Sequence, residues 1–324
     1  ARSQAEEHLV TAFCFGIRHI IVAINKMDLV EYKQESYQNV VNHFSTLIKK
    51  AGFALTQVIF IPVSALENIG VTTDSKDKIP WHNGASLLQT MDEIVLPSRH
   101  KDKSFRMVVD STLKISGIGR VVCGKVERGV LSVGDVVSFS PDGPSDITVT
   151  SIETHRQGRQ HASAGEDIGV AIKFSPNITQ PINKLGKGKN ANTMTNTKTL
   201  ASISRGQVMN LCTQPSVTVM TRIEAQILVT RGKAFKVNYM PHLTLHLDVV
   251  RAKVVRLIEI LGAGNKVIEK NPTSVKPGQT VVCELLLSRK IAAESIHDAP
   301  RLSRFLIKEN TMVSGIGFIR QKLE

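Results

Sequence analysis

A chain of 324 residues can bury a sizeable core and divides most naturally into two or three domains. Hydrophobic residues make up 42% and charged residues 21%, and no apolar run approaches the roughly 20 residues that span a bilayer, so no membrane segment is expected. The 41 Lys and Arg against 28 Asp and Glu leave a net charge of +13, which points to a polyanionic partner.

Glu6 to Phe15 carries Leu9, Val10 and Phe13 at helical spacing and runs into Gly16, a C-terminal cap. His19 to Ile24 is a continuous branched apolar run, the pattern of a parallel strand buried on both faces, and polar Asn25 follows at once. Gln34 to Ala51 places Val40, Val41, Phe44, Leu47 and Ile48 on one stripe, with Lys49 and Lys50 in the last turn and Gly52 beyond. Val58 to Val63 predicts a second buried strand. Ser86 to Ile94 predicts a third helix with Leu87, Leu88, Met91 and Ile94 inward. Residues 1–96 therefore read as an α/β sheet domain, and the proline-led charged stretch 97–104 as a linker.

The pattern then changes. From Phe105 onward, short Val, Ile and Thr runs are broken by glycines and by Pro141-Asp-Gly-Pro144, with hardly any helical period, as in a small closed β-barrel over 105–213. Within it, the polar tract 175–205 is too poor in apolar residues to pack and reads as a basic loop. Ile168 to Ile223 contains no acidic residue, yet holds Lys173, Lys184, Lys187, Lys189, Lys198, Arg205 and Arg222, which suits phosphate contact. Strand-like runs resume over 214–324 and predict a second barrel. Cys14, Cys123, Cys212 and Cys283 are widely spaced in apolar surroundings and read as reduced core thiols. His242 and His246, four apart on a predicted strand, would stand about 13 Å from each other at ~3.3 Å per residue, too far to share a metal.

Asn25-Lys26-Met27-Asp28 lies at the C-terminal end of a predicted parallel strand, where open α/β sheets bind ligands. A carboxylate there can accept from both the N1 and N2 donors of guanine, an edge that adenine lacks, which makes Asp28 a candidate specificity residue. Lys26 can lay its methylene stem over the purine, and Asn25 can tie neighbouring loops together. Ser64-Ala65-Leu66 follows the next predicted strand in the same way, with backbone N–H groups around Ala65 toward guanine O6 and Ser64 bracing the Asp28 loop. Two strand tips would then furnish one base pocket.

With these motifs the chain resembles the translational GTPases, and elongation factor 1-alpha and its divergent elongation-factor-like relatives over nearly all its length. Glu6-Glu7-His8, Pro80-Trp81 with Gly84 and Leu87-Leu88, and Ser116-Gly-Ile-Gly119 followed by Val126-Glu-Arg-Gly-Val-Leu-Ser-Val-Gly-Asp135 resemble successive segments of that family. The resemblance implies a GTP-binding domain followed by two antiparallel β-barrels. The implied role is GTP-dependent delivery of aminoacyl-tRNA to the ribosome by a cytoplasmic monomer, with GTP and Mg2+ as cofactors and a guanine-nucleotide exchange factor as a further partner. Glu153-Thr-His155-Arg156 stands where the family holds the aminoacylated 3′ end, with Glu153 placed to accept from the terminal nucleoside and His155 and Arg156 beside it. Arg120 and Arg128 flank glycine turns of the same domain and are further phosphate candidates.

The chain also departs from the family. Gly165-Glu-Asp-Ile-Gly169 puts Asp167 where the family usually has Asn, Thr311 stands where it often has Arg, and the tract 175–205 is longer than its counterpart. These differences favour the divergent elongation-factor-like branch. No Gly-x-x-x-x-Gly-Lys-Ser/Thr phosphate loop occurs, nor does the family's Asp-x-Pro-Gly-His segment. The expectation is an N-terminally truncated fragment that by itself has no catalytic residue and does not hydrolyse GTP. Release-factor or ribosome-rescue GTPases, and a non-catalytic RNA-binding double barrel, are the alternatives.

Overall fold

A computed structural model describes residues 4–17, 19–72, 76–95, 99–174, 202–232, 235–309 and 312–323. Tract residues 175–201, linker residues Pro97 and Ser98, Thr311 and the Cys14 thiol lie outside what it describes. Two compact units divide the chain, 1–98 and 99–324.

In the first unit, helix α1 (Gln4–Cys14) precedes strand β1 (Ile20–Ile24), helix α2 (Gln34–Ala51), strand β2 (Val58–Pro62) and helix α3 (Leu87–Glu93). The strands run parallel and in register from Ile20 against Val58 to Ile24 against Pro62, so both end at the same side of the sheet. The amphipathic stripe of α2 packs inward around buried Ile48, and Gly52 closes the helix with φ 104°. A Cβ there would also come within 3.0 Å of the Phe13 ring on α1, so Gly52 is required twice.

Two expectations for this unit need correction. β1 is only partly buried and Ile59 on β2 is exposed, because the described residues supply two strands to the sheet and cannot cover both its faces. α3 turns Leu88 (49% exposed) and Met91 (57%) to solvent and buries Thr90 instead. A capping box formed by Ser86 and Gln89 fixes its start.

Among its described residues the second unit is β apart from a short helical turn, α4 (Pro300–Ser303), and a 3-10 turn over Ala263–Asn265. Its first half holds β3 (Arg106–Ile115), β4 (Gly119–Arg128), β5 (Val130–Ser132), β6 (Val136–Ser140), β7 (Ile147–Thr154), β8 (Gln157–Arg159), β9 (His161–Ser163), β10 (Asp167–Phe174) and β11 (Val208–Leu211). Strands β10-β4-β3-β11-β6-β7 pair in that order, and β7 returns to β10, closing a six-stranded barrel. The second half holds β12 (Val219–Val229), β13 (Phe235–Lys236), β14 (His242–Leu245), β15 (Asp248–Leu261), β16 (Val267–Lys270), β17 (Ser274–Val275), β18 (Thr280–Ala292), β19 (Arg304–Glu309) and β20 (Met312–Leu323). Here β14-β19-β20-β12-β18-β15 form the ring, and β15 returns to β14.

Each barrel has its own core, the first around Phe105, Met107 and Leu131 and the second around Phe305, Ile227 and Leu285. A third apolar cluster joins them, with Val108 and Val208 from the first barrel against Val217, Ala292, Ala299 and Leu302 from the second. Beside it Glu294 receives Arg106 Nε at 2.8 Å and Arg128 Nη2 at 2.8 Å, with Arg106 2% and Glu294 5% exposed. Cys283 is buried among the second core, and burial pushes its thiol well up. Cys212, in contrast to expectation, is exposed, because it follows the last residue of β11 where the chain leaves the barrel.

His246 is also not on a strand. It occupies, with φ 51°, the two-residue turn between Leu245 of β14 and Asp248 of β15. Its ring Nε2 is sealed from solvent with no hydrogen-bond partner among the described residues. Burial pulls its pKa from 6.5 to about 4, against the opposing pull of the Ala292 backbone and Asp248. The folded state therefore binds this proton less readily than the unfolded chain. The neutral ring's contribution is present in full above pH ~6.5 and is lost as pH falls toward 4, up to about 3 kcal/mol at ~1.36 kcal/mol per unit. His246→Asn, which tolerates the left-handed turn, is expected to flatten the fall in urea midpoint between pH 7 and pH 4.5. A parent and variant with parallel pH profiles would refute this.

Candidate functional site

The ends of β1 and β2 meet at one edge of the first unit. Val63 N–H donates to Ile24 O at 2.9 Å and Met27 N–H to Val63 O at 3.2 Å, so the two loops leave the sheet side by side. Asn25 Oδ1 accepts from Ala65 N–H at 3.0 Å and from Lys26 N–H at 2.7 Å, which stitches one tip to the other. Lys26 takes φ 64°, a left-handed conformation that reverses the chain, and starts a 3-10 turn over Met27–Val30. Met27 is buried beneath it and anchors the turn.

Ser64 Oγ, fully buried, donates to Asp28 Oδ1 at 2.6 Å. Ser64 also pairs its backbone with Ile69, N–H to O at 2.9 Å and back at 3.1 Å, closing the loop from Ala65 to Asn68. Of the predicted residues Asn25, Lys26, Asp28, Ser64, Ala65 and Leu66, all stand on these two loops. The Leu66 side chain points to solvent.

Sequence reasoning overlooked a supporting layer. Tyr32, with φ 54°, donates its hydroxyl to Glu67 Oε2 at 2.8 Å, and its carbonyl accepts from Trp81 Nε1 at 2.9 Å. Trp81 packs 5.1 Å from Tyr37, whose hydroxyl reaches Phe60 O on β2 at 3.1 Å. Trp81 was visible as part of a family-like segment, whereas nothing local in the sequence marks Tyr32 or Glu67.

In the second unit, Glu153, His155 and Arg156 come together on the β7–β8 hairpin. Thr154 pairs with Gln157, leaving His155 and Arg156 as a two-residue turn with φ 48° and 63°. Glu153 sits level with Gly158 of β8 and Gly169 of β10 and is exposed. Such a turn favours Asn-Gly, and a bulky residue in the left-handed region costs about 1–2 kcal/mol, so the tip carries side chains at the expense of stability.

The other two arginines lie elsewhere. Arg120 pairs with Ile172, three residues along β10 from Gly169 and so on the opposite face parity, and donates to Thr112 Oγ1 at 3.3 Å. Arg128, expected at phosphate, instead donates to Ser104 O at 3.0 Å, Asp298 O at 3.1 Å and Glu294. With its guanidinium engaged on every side in the barrel joint, Arg128 is withdrawn as a phosphate contact. Asp167 lies 4.0 Å from Lys125 Nζ, and its carbonyl accepts from Thr154 Oγ1 of the hairpin at 3.0 Å.

A model of the elongation factor Tu GTP binding domain matches residues 1–97, and one of the GTP-eEF1A C-terminal domain matches residues 222–320. Elongation factor 1-alpha of Thermococcus kodakarensis is 33% identical over 99% of this chain and 72% of its own length. The chain belongs to the elongation factor 1-alpha family. Elongation factor 1-alpha of Archaeoglobus fulgidus is similarly 34% identical over 98% of this chain and 69% of its own. Among solved structures, elongation factor SelB of Methanococcus maripaludis in its apo form matches with TM-score 0.68 and 21% identity over 98% of this chain and 61% of that one. Sup35 complexed with GDP matches with TM-score 0.58 and 23% identity over 99% and 74%. Both share the fold, a GTP-binding domain followed by barrels. The family role is that of a translation elongation GTPase, and GTP is its nucleotide. Among the described residues no helix is long and apolar enough to cross a membrane.

Proposed function

We propose that the two stitched strand tips form a guanine-reading corner and that the protein delivers aminoacyl-tRNA to the ribosomal A site in its GTP form. The observation that supports this reading most is the pair of cross-loop hydrogen bonds, Ala65 N–H to Asn25 and Ser64 to Asp28, which hold the Asp28 carboxylate beside the Ala65–Leu66 backbone. The carboxylate suits guanine N1 and N2, and the backbone that follows Ala65, whose own N–H is held by Asn25, suits O6. Residues 1–96 would serve as the C-terminal part of the GTP-binding domain, 105–213 as the barrel that holds the aminoacyl end through Glu153, His155 and Arg156, and 214–324 as the second barrel. We place it in the cytoplasm as a monomer, with an exchange factor reloading GTP.

The chain contains no phosphate loop. With that loop absent from the sequence, we expect this polypeptide by itself not to hydrolyse GTP.

A titration with charged and uncharged tRNA tests the carrier reading in the intact protein. Charged tRNA bound in preference, and only with GTP, supports it; equal binding favours termination or ribosome rescue. The hairpin supplies the sharper variant. His155→Asn with Arg156→Gly should raise stability by about 1–2 kcal/mol by relieving the turn. The same pair should weaken charged tRNA about tenfold or more, since charge-assisted hydrogen bonds contribute about 1.5–3 kcal/mol. Unchanged tRNA affinity would remove the hairpin from the site.

A further inference from the structure

Behind the guanine corner, Tyr32 of the Asp28 segment reaches the loop Ala65–Asn68 at Glu67 and also meets the Ser64 hydroxyl. Tyr32 follows the turn that contains Asp28, and its N–H returns to Met27 O at 2.9 Å, so its position is rigidly tied to that turn. Its hydroxyl donates to Glu67 Oε2 at 2.8 Å, and Glu67 N–H in turn approaches Ser64 Oγ at 3.4 Å. The Ser64 hydroxyl thus has its acceptor side occupied by Glu67 and its proton directed to Asp28 at 2.6 Å. Lys78 Nζ lies 3.7 Å from Glu67 Oε2 and 5.9 Å from the Tyr32 ring centroid, which covers the contact with a cation. Trp81 fixes the Tyr32 carbonyl from behind at 2.9 Å. Glu31 and Tyr32 both adopt positive φ, 51° and 54°, an arrangement that costs energy and is sustained by these bonds.

We infer that Tyr32 is a positioning residue for base recognition, its hydroxyl latching Glu67 so that Ser64 holds the Asp28 carboxylate toward the guanine edge. The inference rests on the guanine reading given above. The circuit runs Tyr32, Glu67, Ser64, Asp28, and opening it at the first bond frees the Glu67 segment and releases the donor that orients Ser64. The consequence falls on the carboxylate and therefore on discrimination by the 2-amino group of the purine. It does not fall on the backbone N–H groups at Ala65, which Asn25 holds independently.

The test is dissociation of a fluorescent GDP analogue from the intact protein, chased with unlabelled GDP, together with competition by IDP, which lacks the 2-amino group. Tyr32→Phe is expected to release GDP about tenfold faster, the loss of one hydrogen bond to a charged acceptor, and to narrow the preference for GDP over IDP several-fold. Glu67→Ala should do the same, the double variant should add little to either, and Glu67→Gln, which keeps an acceptor, should stay near the parent. Unchanged release, or equal acceleration for GDP and IDP, would overturn the latch, since a merely structural bond would loosen both nucleotides alike. Asp28→Asn separates the two levels. If it alters base preference while Tyr32→Phe does not, the latch alone fails; if it leaves base preference untouched, the guanine reading fails and the latch with it.

Discussion

Asp28→Asn is expected to weaken guanosine nucleotides by about 10- to 100-fold and to favour xanthosine nucleotides in their place, the loss of one hydrogen bond to a charged acceptor and the gain of one from an amide donor. The structure decides which way the new amide would face. Ser64 Oγ has Glu67 N–H on its acceptor side and donates its proton to the Asp28 Oδ1 position. An asparagine would keep its carbonyl oxygen toward Ser64 and turn its NH2 group to the base. That donor opposes the 2-amino group of guanine and matches the 2-oxo group of xanthine. Competition between GDP and XDP in the intact protein measures the exchange, and an unchanged ratio would remove Asp28 from the pocket.

Glu294→Ala should be the most destabilising single change in the second unit. The carboxylate neutralises two guanidinium groups inside the joint between the barrels, and the rest of Arg106 is held by Phe105 O and Pro215 O, both at 2.8 Å. Burial already disfavours the charge on Arg106, and Arg128 beside it adds repulsion, so both depend on Glu294. Removing one partner of a buried ion pair costs about 3–5 kcal/mol because the remaining charge stays desolvated. For a unit of this size that corresponds to a fall of about 10 °C in Tm. Exchanging all three for Met, Leu and Met should restore most of the loss, as apolar replacements of whole buried ion clusters do. A single variant that melts within about 2 °C of the parent would show that the joint relies on its apolar cluster alone. The pairs Lys290–Asp142 and Arg301–Glu127 also cross between the barrels, but Lys290, Asp142 and Arg301 are exposed and should matter little.

These two predictions rest on residues of unequal visibility. Asn25, Asp28 and Ser64 were legible because a strand buried in a parallel sheet leaves an apolar run, and the polar residues that end it fall where ligands bind. The helices of the first unit were legible from their period, with Gly52 marking the end of α2. What remained hidden was partnership across the chain. Arg106 and Glu294 are 188 residues apart, and an arginine beside a glycine turn, such as Arg128, looks the same whether it meets a phosphate or a buried carboxylate. Leu88 and Met91 follow the helical stripe yet face solvent, since period identifies an apolar face and not whether another element covers it. Tyr32 could not be found either, because its role depends on a left-handed backbone that no neighbouring Gly or Asn signals.

The chain contains one tryptophan, and its indole N–H is bonded to the carbonyl of Tyr32. Emission excited in the tryptophan band therefore arises from a single place, the rear wall of the base corner, while both barrels stay dark. Any change in the polarity or hydrogen bonding of that wall would appear as a shift in colour or intensity, so the fold carries its own optical reporter for the corner, without a dye or an added label.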